Sequence, residues 1–365
     1  MDEREPVSVD PVIEALERYL LGGPRTLNRL EVAERVGVSP DRTEALWRAL
    51  GYTRAADDEV VFGYADVRAA QIAMELSAFG FIDEERETAM ARTLGRTFNR
   101  LAEWQTKMLA ELLTQAGSFE PEAVVALAEQ VVPKLEEVQS YLWRRGVIAS
   151  ASRMLLHPSG DEGTVMTVGF VDIVGYTSRS RLLSETELEE LVEHFESTCN
   201  HVCTEHDGRI IKTIGDEILF VAYDPAQGAR IALDLVERHD EDDRFPLVRA
   251  GVAHGPVLAR LGDVFGSVVN MAARLTTVAR PGRVLVDRRM QEELADSEEF
   301  ALRRMRRTSV KGFDRLEPFR LKRPRDPDDE HESVIGRRVG ELREALEETI
   351  DEVTPEVVRR RRGDR

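Results

Sequence analysis

Cysteine is almost absent: Cys199 and Cys203 are the two in 365 residues. They stand four apart within a helical pattern and lack the second pair of ligands a structural zinc site requires, so two partly buried thiols without a function are expected. Long apolar runs are missing too. None approaches the roughly 20 residues that span a bilayer, and residues 1–14 are acidic rather than signal-like, so a cytoplasmic protein with no membrane partner is expected. Basic charge is in deficit, with 50 Lys and Arg against 68 Asp and Glu, a net charge of −18. Because affinity for nucleic-acid backbones rests on clustered cations, this argues against a nucleic-acid partner. Any nucleotide site must be locally basic.

The chain is long enough for two domains, and 42% hydrophobic residues suffice for packed cores. From Pro11 to about Ser152 apolar residues recur at three- and four-residue spacing, as in 67–79 and 88–113, which predicts helices throughout. Near His157-Pro158-Ser159-Gly160 the texture changes to short β-branched runs alternating with amphipathic helices. The pattern predicts strands at 165–172, 209–214, 217–222 and 247–253, a short strand near Val257, and further strands at 283–286 and 319–321. Helices are predicted at 185–205, 226–238 and 267–278. This is an α+β fold, a ferredoxin-like βαββαβ core with added strands and helices on one face. After the Pro- and Asp-rich break at 324–329, Ile335, Val339, Leu342, Leu346 and Val353 predict a charged amphipathic C-terminal helix. The expected organisation is a helical domain at 1–155, a second domain at 156–325 and a tail at 326–365.

Two carboxylates fall where apolar strands end: Asp172 in Phe170-Val171-Asp172-Ile173-Val174-Gly175-Tyr176-Thr177, and Asp216 in Lys212-Thr213-Ile214-Gly215-Asp216-Glu217. Either alone fits a turn-forming Asp. Converging at one sheet edge, they supply the hard oxygen ligands that Mg²⁺ takes alongside substrate phosphates. Asn270 and Arg274 lie four apart on one predicted helix and share a face, so they can reach one ligand.

These two segments, together with Gly262-Asp263-Val264-Phe265-Gly266-Ser267-Val268-Val269-Asn270-Met271-Ala272-Ala273-Arg274-Leu275 and Val310-Lys311-Gly312, resemble the class III nucleotidyl cyclases over about residues 163–323. The segments occur in the family's order, which is far more specific than a lone Gly-rich loop. The spacing between Val257 and Asp263 is similar to that of the compact bacterial, actinobacterial-type adenylate cyclases.

The resemblance implies an adenylate cyclase that converts ATP to 3′,5′-cyclic AMP and pyrophosphate with two divalent cations, Mg²⁺ or Mn²⁺. Asp172 and Asp216 would hold the metals, with the Ile173 carbonyl as a further ligand. Lys212 and Asp263 would read the base, since an ammonium donates to adenine N1 and a carboxylate accepts from the N6 amino group. Asn270 and Arg274 would hold the ribose and α-phosphate as catalytic residues, and Lys311 the terminal phosphates. In the family the site forms between two catalytic domains, one giving the carboxylates and the other the remaining residues. A chain holding both sets is expected to form a homodimer with shared sites.

One departure stands out. Some relatives carry an arginine just after the glycine of the segment that here reads His254-Gly255-Pro256, and proline cannot bind phosphate; Arg260 or Arg249 could supply that contact. Residues 28–50 and 60–66 are similar to the helix-turn-helix and wing of MerR-like regulators, but Glu31, Glu34, Asp41 and Glu44 crowd the recognition region. Residues 1–155 therefore read as a control module ending in a linker helix. The alternative for the whole chain is a catalytically silent nucleotide-binding module or a helix-turn-helix DNA-binding regulator.

Overall fold

The computed structural model describes residues 9–80, 83–117, 119–157, 163–305, 308–310 and 313–324. Lys311 and the helix expected after residue 326 lie outside the described residues. The chain divides into two compact units, Met1–Leu156 and His157–Arg365.

The first unit is helical: α1 (Val9–Leu20), α2 (Arg29–Val36), α3 (Pro40–Ala49), α4 (Tyr64–Ala78), α5 (Glu84–Ala116) and α6 (Pro121–Leu156). Local chemistry sets the boundaries. Asn28 caps α2 by accepting from the backbone N–H groups of Leu30 and Glu31, while the Glu31 carboxylate accepts from Asn28 N. Ser39 caps α3, whose first residue is Pro40. A backbone bridge between Leu27 and Phe62 closes this region over a small core of Leu27, Val32, Ala55, Phe62 and Val67. Two of the arginines here are used internally. Arg29 pairs with Glu44 and Asp57, and Arg42 pairs with the buried Glu87 at 2.7 Å. Side chains engaged in this way are not offered to a phosphate backbone.

The second unit runs β1 (Thr164–Ile173), α7 (Tyr176–Arg179), α8 (Glu185–Glu205), β2 (Arg209–Ile214), β3 (Glu217–Ala222), α9 (Pro225–Glu241), β4 (Val248–Arg260), β5 (Asp263–Phe265), α10 (Ser267–Val278), β6 (Val284–Val286), α11 (Arg288–Glu293), β7 (Ala301–Arg304), β8 (Thr308–Val310), β9 (Phe313–Leu316) and β10 (Phe319–Lys322). The main sheet has the order β2-β3-β1-β4-β6-β10-β7, with β5 paired to β4. β1 is central and nearly all buried, which accounts for its continuous apolar run.

Alternate residues of β1 feed two cores. Val171 and Ile173 join Phe195, Cys199 and Cys203 of α8 and Ile231 and Leu235 of α9; Met166, Val168 and Phe170 join Val268, Ala272 and Leu275 of α10. The expectation of helices on one face alone is thus corrected, because the apolar side of α10 covers the opposite face. Gly251 permits its close approach: a Cβ there would lie 2.2 Å from Thr276 N. The strand expected near Val257 is also not separate. β4 continues through Gly255 and Pro256 because its ladder with β1 persists as far as Thr164↔Val257. Both cysteines are free and fully buried. Burial raises both thiols, Cys203 to about 12, so neither is a reactive thiolate.

Candidate active site

The acidic end of the site is built at strand termini. Asp172 sits in register between Glu217 on β3 and Arg249 on β4. The turn after β2 contains Gly215 at φ +66°, and it brings in Asp216, whose carbonyl accepts from Ile173 N at 3.1 Å. Arg249 donates to Asp172 Oδ2 from Nε at 2.8 Å and from Nη2 at 2.6 Å, and its Nη1 reaches the Thr277 carbonyl at the end of α10. Burial raises the Asp172 carboxyl above its usual range; Arg249 pulls it down and the Asp216 charge pushes it up again. Glu217 is raised to about 7, first by burial and then by the charges of Asp172 and Asp216. Carboxylates buried this close to further negative charge suit added cations. Among the described residues no group of three or more His, Cys, Asp or Glu side chains could hold a metal by itself. Ile173 is 2% exposed and its side chain belongs to the core, so only its carbonyl could serve a cation.

The other end is a ready-made ion pair. Lys212 Nζ lies 2.5 Å from Asp263 Oδ2, both half-exposed. β2 is irregular between Ile210 and Lys212. β4 and β5 close on Leu261 and Gly262, both at positive φ, with Arg260 opposite Asp263. Asp263 Oδ1 accepts from Val264 N at 2.8 Å, which fixes the carboxylate. Lysine and carboxylate together present one donor and one acceptor side by side, the pattern an adenine edge complements. Asn270 is exposed on α10 and its side chain makes no hydrogen bond among the described residues, while Arg274, one turn on, is half-buried.

The described residues thus fall into separate groups: Asp172 with Asp216, Glu217 and Arg249; Lys212 with Asp263; and Asn270 with Arg274 along one helix face. No hydrogen bond or ion pair among the described residues links the Lys212–Asp263 pair to Asp172 or Asp216. Of the arginines weighed from the sequence, Arg249 lies on the acidic cluster and Arg260 lies opposite Asp263 on the β4–β5 hairpin. Glu217 was not singled out from the sequence. Its signal, an acidic residue opening an otherwise apolar strand, was present but indistinguishable from a turn residue.

Residues 160–323 match the family model described as "Adenylate and Guanylate cyclase catalytic domain". An adenylate cyclase from Glutamicibacter nicotianae is 36% identical over 336 residues, covering 87% of this chain and 83% of that protein. An adenylate cyclase from Streptomyces coelicolor is 39% identical over 291 residues, covering 78% of this chain and 76% of that protein. Among solved structures, the catalytic core of a rhodopsin-guanylyl cyclase is 20% identical with a TM-score of 0.41, covering 44% of this chain and 97% of that one. With relatives this similar along most of both sequences, and with the family match falling on the residues that carry the acidic cluster, the Lys212–Asp263 pair and α10, the chain belongs to the adenylate and guanylate cyclase family.

Proposed function

We propose that this protein is an adenylate cyclase that forms cyclic AMP and pyrophosphate from ATP with two Mg²⁺ or Mn²⁺ ions. The observation that carries the proposal is the pair of carboxylates, Asp172 and Asp216, gathered beside Arg249 in a chain that also holds the Lys212–Asp263 pair and the Asn270/Arg274 face. Asp172, Asp216 and the Ile173 carbonyl hold the cations. Bound there, the cations would lower the pKa of the ribose 3′ hydroxyl and neutralise charge on the leaving pyrophosphate.

The residues of the chain do the positioning. Lys212 donates to adenine N1 and Asp263 accepts from N6; guanine would face each with the wrong partner, at a cost of about 1–3 kcal/mol per lost contact. Asn270 orients the ribose. Arg274 lies where charge grows on the α-phosphate oxygens, and stabilising that charge more in the transition state than in the ground state is what raises the rate. Arg249 exchanges its contact with Asp172 for the terminal phosphates, alongside Lys311. The 3′ hydroxyl gives up its proton to water, its oxygen bonds to the α-phosphorus in line, and the bond from that phosphorus to the bridging oxygen breaks, with pyrophosphate leaving with the electron pair.

The separation of the acidic cluster from the Lys212–Asp263 pair supports a site shared across a homodimer, with each protomer giving one set. The domains are read as 1–155, a control module, 156–325, the catalytic domain, and 326–365, a charged tail. No described helix is long and apolar enough to cross a membrane, and a cytoplasmic location is proposed. The test is incubation of the full-length protein with ATP or GTP and Mg²⁺ or Mn²⁺, followed by chromatography of the products. Cyclic AMP in excess of cyclic GMP is expected, and absence of both cyclic nucleotides under every metal would overturn the proposal.

A further inference from the structure

At the far end of β4 from Asp172 lies a cavity of about 550 Å³. It opens around His254 and Pro256, whereas Asp172 pairs with Arg249; the five to seven intervening steps of strand span roughly 16–23 Å. The cavity is therefore separate from the acidic cluster.

One side of it offers donors. His254 is 91% buried, its relative exposure being 9%, and its Nδ1 lies 2.8 Å from Thr167 Oγ1. Thr167 is fully buried, and His254 Nδ1 is the partner given for its hydroxyl. That contact engages Nδ1 and leaves Nε2 as the ring nitrogen not held by Thr167. Burial holds this imidazole below its ordinary range, consistent with a neutral ring. Ser267 opens α10 behind Gly266, which gives the helix no side-chain cap. The guanidinium of Arg289 lines the cavity, and its charge acts on the neighbouring Asp287 and His254. It lies against Gly255, at φ +150°, where a Cβ would come within 2.7 Å of Arg289 Nη1. The bare backbone at Gly255 makes the room for it.

The acidic groups nearby are already engaged. Asp287 accepts from His254 N and Met290 N, and Glu317 pairs with Arg304. The lining also holds the apolar side chains of Val268, Met271 and Leu316, and Val268 and Arg289 both approach Gly255. A cation, N–H and hydroxyl groups and open helix N–H groups beside apolar side chains suit a small anion that carries an apolar body.

We propose that this cavity binds a small amphipathic oxyanion, a carboxylate or phosphate monoester of about ring size. The anionic head meets Arg289, His254 and Ser267, and the body lies on Val268, Met271 and Leu316. Because the ligand would grip the first turn of α10, which carries Asn270 and Arg274 further along, occupancy would alter turnover as an effector does.

Full-length protein titrated calorimetrically with benzoate, phenyl phosphate and inorganic phosphate, with and without a saturating non-hydrolysable ATP analogue, tests this. At least one ring-bearing probe is expected to bind in both conditions, which head group it prefers separating carboxylate from phosphate ester. Arg289→Ala is exposed and should fold and turn over ATP as the wild type does, yet bind the probe about tenfold or more weakly. Arg289→Lys should recover part of the affinity. Three results would overturn the proposal: no binding by either ring-bearing probe, undiminished binding by Arg289→Ala, or displacement by the nucleotide analogue. Inorganic phosphate binding as tightly as phenyl phosphate would remove the apolar half of the assignment.

Discussion

The two ends of the candidate active site are built on opposite electrostatic plans. At the acidic end, Asp172, Asp216 and Glu217 crowd together at the termini of buried strands, and a single guanidinium, Arg249, answers them. At the other end, Lys212 and Asp263 neutralise each other on the more exposed β2 and β5. The first arrangement is frustrated without added positive charge, so it is poised for metal ions. The second is already a closed ion pair, with Lys212 Nζ 2.5 Å from Asp263 Oδ2.

The comparison predicts effects of different kind and size. Asp172→Ala or Asp216→Ala should lower kcat by about 10³-fold or more in a cyclase assay, since metal assistance supplies several kcal/mol to such displacements. Arg274→Ala should cost about 10²–10³-fold in kcat with a smaller change in KM, the signature of a group that acts on the transition state. At the other end, Asp263→Asn introduces a donor toward guanine O6. Competition between ATP and GTP should show the preference for ATP narrowed by about 10- to 100-fold, whereas an equal loss with both nucleotides would detach Asp263 from base reading. If the ends come together only across two protomers, Asp172→Ala and Lys212→Ala proteins, each inactive alone, should recover activity when mixed. Random exchange makes half the dimers mixed with one intact site each, so roughly a quarter of wild-type activity is expected. No recovery under subunit exchange would place both ends in one protomer.

The smallest expected effect lies away from both ends. Burial lowers the pKa of His254 below its ordinary value of 6.5. The folded value being the lower one, the stability contributed by the neutral ring is complete above about pH 6.5 and is lost as pH falls through the folded value. Thermal melts of wild type and His254→Gln between pH 7.5 and 5, values spanning that range, should show the steeper decline in the wild type. Parallel curves would mean the ring titrates normally.

The acidic end was legible in the sequence because a carboxylate closing an apolar run conflicts with its surroundings, and Asp172 and Asp216 both show that conflict. α10 was equally plain, since its apolar period and the Asn270–Arg274 spacing coincide. The helices expected at 185–205 and 267–278 match α8 and α10 as observed. What escaped were elements of three to six residues, namely β5, α11, β7, β8 and β9, too short to establish a period and held by their neighbours rather than by propensity. The partner of Asp172 escaped as well. Arg249 and Arg260 flank the same strand, and nothing in their spacing says which one faces a carboxylate 77 residues away.

By itself, the sequence determined the class of fold, the strand-end carboxylates and the helix face carrying Asn270 and Arg274, because periodicity and punctuation are local properties of the chain. Tertiary structure alone decided that α10 covers the second face of the sheet, that Arg249 rather than Arg260 lies on Asp172, that Lys212 and Asp263 meet, and that a cavity opens beside Arg289. Each of these depends on strand register and on which faces pack, and register joins residues tens of positions apart whose pairing no local pattern encodes.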